Sequence, residues 1–200
     1  MNLLKQTVNT QRVKEGNTMT KSVNSQPQQA LNIAVLTVSD TRTFETDTSG
    51  AYLAKAASDA GHNVLEQLIL KDDKYLLRAA VSRWIASEDI QVVLCTGGTG
   101  FTARDTTPEA LSVLFDKHIE GFGELFRHLS FMEIGTSTVQ SRAIAGMANG
   151  TAIFCLPGST GACKTGWNGI LQQQLNSAHK PCNFVVHLKQ SAQAICEHRG

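Results

Sequence analysis

The chain has 200 residues, 42% of them apolar, with a formal net charge of +1 and acids and bases interspersed. That length suits one well-cored domain, and the even charge excludes the basic field that would hold a nucleic-acid backbone. No apolar run approaches the ~18–20 residues that cross a bilayer; five cysteines with no C-x-x-C pair and no signal peptide fit a soluble protein of the reducing cytosol.

Residues 1–29 are rich in Gln, Asn, Thr, Ser and Lys, with hydrophobes at no useful period, and read as a disordered tail. Glu15 and the lack of an Arg-rich amphipathic pattern argue against a targeting peptide. A single domain is expected over 30–189, with 190–200 as a C-terminal tail. It opens with Leu31–Val38, a short, β-branched, almost wholly apolar run that suits a central strand covered on both faces. Ser49–Ala60 reads as a helix with Asp47 or Thr48 near its N-cap and Gly61 as its stop. Asn63–Leu70 follows as a strand, Asp73–Ser87 as a helix and Gln91–Thr96 as a second apolar strand.

Thr107–Lys117 is expected to form a helix with Thr107 as N-cap and Pro108 at its first position, and a further helix is expected from Gly123 to Ile134. Phe122 just ahead of it, with Leu125, Phe126, Leu129 and Phe131, has the spacing of a core face. Ser141–Met147 and Thr151–Leu156 flank Asn149-Gly150, the dipeptide of a tight hairpin. A last helix spans Gly161–Ser177, followed by a short strand at Asn183–Leu188 and a helical end. The alternation predicts an α/β fold, a three-layer α/β/α sandwich with a mostly parallel sheet and a β-hairpin.

In such sheets ligands lie beyond the carboxyl ends of the strands, which directs attention to three loops. Ser39–Gly50 (S-D-T-R-T-F-E-T-D-T-S-G) carries three carboxylates and several hydroxyls, although an Asp before a helix is also an ordinary cap. Thr96–Ala110 (T-G-G-T-G-F-T-A-R-D-T-T-P-E-A) has three glycines directly after a buried strand. They let consecutive backbone N–H groups converge on an anion, and the spacing is neither a Walker motif nor a dinucleotide-binding one. Arg104-Asp105 and the following helix start place an acid and a base beside a positive helix end. Leu156–Lys164 (L-P-G-S-T-G-A-C-K) offers hydroxyls and backbone donors, and equally suits a plain strand-to-helix connection. The six histidines show no metal-ligand spacing, and no nucleophile elbow is present.

Read together, V-S-D-T-R-T (Val38–Thr43), D-T-S-G (Asp47–Gly50), T-G-G-T-G (Thr96–Gly100), R-D-T-T-P-E-A (Arg104–Ala110), E-G-F-G-E (Glu120–Glu124), S-R-A (Ser141–Ala143) and L-P-G-S (Leu156–Ser159) resemble the molybdopterin-binding MoaB/MogA family of molybdenum cofactor biosynthesis, over about Leu31 to Leu188. The first and last motifs are nearer the B-type proteins. The resemblance implies a homotrimer or homohexamer that binds molybdopterin at the strand ends. In active relatives it further implies transfer of AMP from Mg-ATP to the terminal phosphate of molybdopterin. Carried over by position, the catalytic and Mg2+-holding carboxylates fall on Asp47 and Asp105. Ser39, Asp40, Gly97, Gly98, Thr99, Gly100, Gly158 and Ser159 line the substrate and nucleotide pocket. Some B-type relatives lack the carboxylate after T-G-G-T-G, and this chain has it. A molybdopterin carrier without turnover stays open as the alternative, as does an unrelated nucleotide-binding α/β protein.

Overall fold

The computed structural model describes residues 28–190; the expected tail over residues 1–27 and the helical end lie outside them. Gln28 and Gln29, placed in the tail by composition, touch the domain: Gln28 Nε2 donates to the Ala60 carbonyl at 3.0 Å and the Gln29 amide to Ser177 Oγ at 2.9 Å.

The elements are β1 (Asn32–Val38), α1 (Thr48–Asp59), β2 (Asn63–Leu70), α2 (Lys74–Ala86), β3 (Val92–Thr96), α3 (Thr107–Leu111), β4 (Lys117–His118), α4 (Glu120–Ile134), β5 (Ile144–Ala148), β6 (Thr151–Leu156) and α5 (Thr160–Gly166). They build one six-stranded sheet in the order β2-β1-β3-β6-β5-β4. The first four strands in that order are parallel, with Val35 opposite Gln67 and Leu94, and Leu94 opposite Phe154. β5 runs antiparallel to β6, and β4 antiparallel to β5. The hairpin expected at Asn149-Gly150 is present, both residues having positive φ as a tight two-residue hairpin turn requires.

Two apolar cores sit on opposite faces of the sheet. On one, Leu53, Phe122, Phe126, Trp167 and Leu171 cover Ile33, Val35, Leu94 and Phe154; on the other, Leu77, Val81, Trp84 and Leu111 cover Ala34, Leu36, Val93 and Ile153. Because alternate residues of one strand serve both cores, β1, β3 and β6 are buried throughout, which is why their sequences are continuously apolar.

Several boundaries depart from expectation. Helix α3 ends at Leu111 and gives way to a 3-10 turn over Ser112–Leu114, after which the chain joins the sheet edge as β4. Thr107 is not its cap: Thr106 occupies that position, while the Thr107 hydroxyl is buried and donates to the Gly97 carbonyl at 2.9 Å. The expected strand at Asn183–Leu188 is a 3-10 turn at Val185–His187; the His187 and Leu188 amides are spent on the Phe184 and Val185 carbonyls three residues back and are not offered to a ladder. The last helix changes to a π turn at Trp167–Leu171 before a final turn at Gln172–Gln174. On α4 only Phe122 and Phe126 are fully in the core, and Leu125 and Phe131 are exposed.

His62 is buried, and its Nδ1 accepts the Leu31 amide at 3.2 Å, so the ring is needed neutral. Burial pushes its pKa below the ordinary 6.5. The stabilisation from neutral His62 is therefore complete above pH ~6.5 and is lost as pH falls through that value toward the lowered folded one. Chemical denaturation at pH 7.5 and 5.5 is expected to show a loss of stability that is smaller in His62→Asn; an equal loss in both proteins would contradict the assignment.

Candidate functional site

The strand order reverses at β1, with β2 on one side and β3 on the other, and the carboxyl ends of β1, β3 and β6 open into a cleft of about 480 Å3. This is the switch-point crevice where open α/β sheets bind ligands. One wall is made by the loops after these strands: Ser39, Gly97, Gly98, Thr99, Gly100, Asp105, Gly158 and Ser159 all line it, and Asp47 lies at its floor. Ser130, Ser137, Gln140 and Ser141, from α4 and the turn beyond it, contribute an uncharged opposite wall. Arg42 is the only basic side chain among the lining residues.

The glycine loop is shaped by close backbone approaches. The Gly97 amide donates to the Leu156 carbonyl at 3.0 Å, so it is not free to meet a ligand. The amides of Gly98 and Thr99 find no acceptor among the described residues, which leaves them as the donors available to an anion in the cleft. A Cβ on Gly158 would come within 3.2 Å of Gly97 Cα, so the loops after β3 and β6 meet backbone to backbone.

Asp105 is held by a short turn in which its Oδ2 accepts the Thr102 amide at 2.9 Å and the Thr102 hydroxyl at 2.6 Å. The Thr102 hydroxyl bond is the chief cause that keeps its carboxyl below the usual range, with the Gly100 amide and the Arg142 charge adding to it. Asp105 is therefore ionised at neutral pH.

Asp47 is a buried helix cap. Its Oδ1 accepts the amides of Ser49 and Gly50 at 3.1 and 2.9 Å, and its Oδ2 accepts the Thr37 hydroxyl at 2.6 Å. Both oxygens thus already have protein partners. Loss of a cap costs ~0.5–2 kcal/mol and an orphaned buried hydroxyl ~1–3 kcal/mol, so Asp47→Ala is expected to lower the unfolding free energy by about 3 kcal/mol. Asp47→Asn keeps an acceptor for the helix and is expected to lose much less. Urea unfolding of both variants checks this, and equal losses would show that the charge rather than the cap carries the stability.

Asp40 does not join the cleft lining. Its carboxylate accepts from two of the Arg104 nitrogens, Nε at 3.0 Å and Nη2 at 2.6 Å, and also accepts the Asp72 amide at 3.2 Å. The Arg104 hydrogen bond holds its carboxyl below the ordinary range. The pair ties together the loops after β1, β2 and β3.

Sequence reasoning missed Asp72. It is buried beneath the glycine loop, where a Cβ on Gly98 would collide with its Oδ2, and its Oδ1 accepts the Thr106 amide at 3.1 Å and hydroxyl at 2.6 Å. Burial, reinforced by the nearby charges of Asp105 and Asp40, pushes its carboxyl up. A buried carboxylate raised in part by a second one is a recognisable mark of a functional site. Ser141 is a further omission: its Oγ is buried with no hydrogen-bond partner among the described residues, a state that native proteins rarely leave uncompensated. Among the described residues no group of three His, Cys, Asp or Glu side chains is placed to hold a metal ion.

The molybdenum cofactor biosynthesis family model, described as a probable molybdopterin binding domain, matches residues 34–177. Molybdenum cofactor biosynthesis protein B of Escherichia coli K12 is 60% identical over 157 residues, covering 78% of this chain and 92% of its own length. This chain belongs to that family. The protein of the same name from Bacillus cereus is 48% identical over 142 residues, covering 70% of this chain and 84% of its own. Two solved structures share the architecture. A crystal structure of molybdenum cofactor biosynthesis protein B has a TM-score of 0.73 at 46% identity, covering 75% of this chain and 94% of the other. The tungsten cofactor synthesizing protein MoaB from Pyrococcus furiosus has a TM-score of 0.65 at 38% identity, covering 72% and 92%. The α/β sandwich with its mostly parallel sheet is thus the family's fold. No helix among the described residues is long and apolar enough to cross a membrane.

Proposed function

We propose that this chain binds molybdopterin and ATP in the switch-point cleft and transfers AMP to the terminal phosphate of molybdopterin, releasing pyrophosphate. The observation that carries the reading is the glycine loop: it has unspent amides at Gly98 and Thr99, ionised Asp105 at one end and buried Asp72 beneath it. Joining two phosphates needs donors that seat anionic oxygens and a means of offsetting charge while the groups align. The loop amides and Arg42 supply the donors. The hydroxyl and amide wall, with the unpartnered Ser141 Oγ, suits an uncharged heterocycle rich in hydrogen-bonding edges.

Mg2+ fits the donor set. It keeps several waters and takes one or two carboxylates together with substrate phosphates, so the absence of a three-ligand cluster among the described residues is no obstacle. The two carboxylates of the sequence reading both line the cleft and would hold it: Asp105, and Asp47 through its Oδ2, which among the described residues accepts only the Thr37 hydroxyl. When bound, the ion supplies electrostatic stabilisation for the phosphates; the chain's own part is to orient them against the loop and to keep Asp105 ionised.

One observation favours a carrier without turnover: Asp47, one of the two expected carboxylates, is already used as a helix cap. A single-turnover assay with molybdopterin, ATP and Mg2+, following pyrophosphate and adenylated pterin, separates the readings. Product supports the transferase; tight pterin binding without product supports the carrier; no pterin binding removes both. The exposed Leu125, Phe131, Met132 and Ile134 on α4 support assembly as a trimer or hexamer, which sedimentation of the full chain measures.

A further inference from the structure

Arg142, the middle residue of the S-R-A motif, has no part in the reaction proposed above, yet each of its three guanidinium nitrogens has a protein acceptor. Nε donates to the Thr99 carbonyl at 3.2 Å, Nη2 donates to the Asp105 carbonyl at 2.9 Å, and Nη1 pairs with the Glu109 carboxylate. The same group lies over the Phe101 ring, 5.2 Å from its centroid. All four contacts fall on one segment, the arc from the glycine loop into α3, whereas Arg142 itself stands outside that segment, just before β5.

We propose that Arg142 is a positioning residue that clamps the Thr99–Asp105 arc from the β5 side and so sets where the Asp105 carboxylate and the loop amides meet their ligand. This role rests on the adenylyl-transfer reading for its catalytic consequence and on geometry alone for the clamp. The arc has a second anchor on the opposite side, where Asp72 takes the amide and hydroxyl of Thr106. Thr107 closes the base of the arc on the Gly98 and Gly97 carbonyls at 3.0 and 2.9 Å, and the Thr102–Asp105 turn and the exposed Arg104–Asp40 pair hold its middle. A planar fork reaches two carbonyls and a carboxylate at once; an ammonium is a point charge and cannot reproduce that arrangement. Because its three donor nitrogens already face protein acceptors, Arg142 acts through Asp105 and the loop rather than on substrate. The Glu109 pair is half exposed, with 48% of that side chain accessible, and pairs in that setting contribute little; the two carbonyl contacts carry the clamp.

The test uses the purified full chain with Arg142→Ala, Arg142→Lys and Glu109→Gln. A displacement of a catalytic group by ~1 Å costs about 100-fold in rate. The single-turnover rate is expected to fall by that order in Arg142→Ala, with the Kd for molybdopterin little changed. Arg142→Lys should recover only a small part, and Glu109→Gln should stay near wild type. Hydrogen exchange of the unliganded protein reads the clamp without any reaction: amides of residues 99–105 should exchange faster in both Arg142 variants while those of β1 and β3 do not change. Unchanged exchange over the arc overturns the proposal, and so does a wild-type rate in Arg142→Ala. Faster exchange together with no turnover in the wild-type protein supports the clamp and overturns the adenylyl-transfer reading instead.

Discussion

Replacing Asp105 with Asn is expected to reduce AMP transfer by about 100- to 1000-fold, the order found when one preorganised electrostatic contact is removed from a transition state. The substitution is nearly isosteric. The amide oxygen of Asn can still accept the Thr102 amide and hydroxyl that now meet Oδ2, so the turn that shapes the loop persists and only the charge is lost. The lost charge is the one that the Thr102 hydroxyl keeps ionised at neutral pH. Molybdopterin affinity should change little, because the uncharged wall at Ser130, Ser137, Gln140 and Ser141 is untouched. Single-turnover rates and equilibrium pterin binding measured on the same preparation check both halves. A variant with undiminished turnover would remove Asp105 from the mechanism; one that loses turnover and binding together would make it a ligand-binding residue only.

The second large effect is structural. At Gly97 φ is +103° and an added Cβ would overlap the Val38 carbonyl oxygen, a backbone atom of a buried strand end that cannot swing aside. Backbone strain costs ~1–3 kcal/mol and overpacking another ~1–3 kcal/mol, so Gly97→Ala should lose about 4 kcal/mol. At roughly 2–4 °C per kcal/mol for a domain of this size, the thermal midpoint should fall by on the order of 10 °C. Gly61 is the matched control: its φ is also positive, at +83°, but nothing lies within 4 Å of an added Cβ. Gly61→Ala therefore carries the strain without the collision and should lose about 1–2 kcal/mol. Thermal unfolding followed by circular dichroism compares the two, and equal losses would mean that φ alone explains both glycines.

What the sequence determined by itself is the frame. The short, β-branched and mostly apolar runs at Leu31–Val38 and Gln91–Thr96 have the length and composition of strands covered on both faces, and Asn149-Gly150 is a strong tight-turn signal, so the sheet and its hairpin were legible from local chemistry. The loops at the carboxyl ends of β1, β3 and β6 were legible for the same reason, because glycines and hydroxyls that follow buried strands directly have to lie at one sheet edge. What the tertiary structure alone decided is which polar groups remain free. Asp47 and Asp72 are both acids just ahead of a helix; folding places Asp47 at the start of α1 with both oxygens occupied, while Asp73 caps α2 and releases Asp72 to lie beneath Gly98. Adjacent aspartates are indistinguishable by composition, and the choice between them depends on which oxygen meets which amide across the loops. Lys117–His118 joins the sheet with only two residues, too few to carry a period, and Arg142 reaches the glycine loop from 43 positions away. Such contacts are made by the packing of the sheet and its helices, and no local pattern in the chain encodes them.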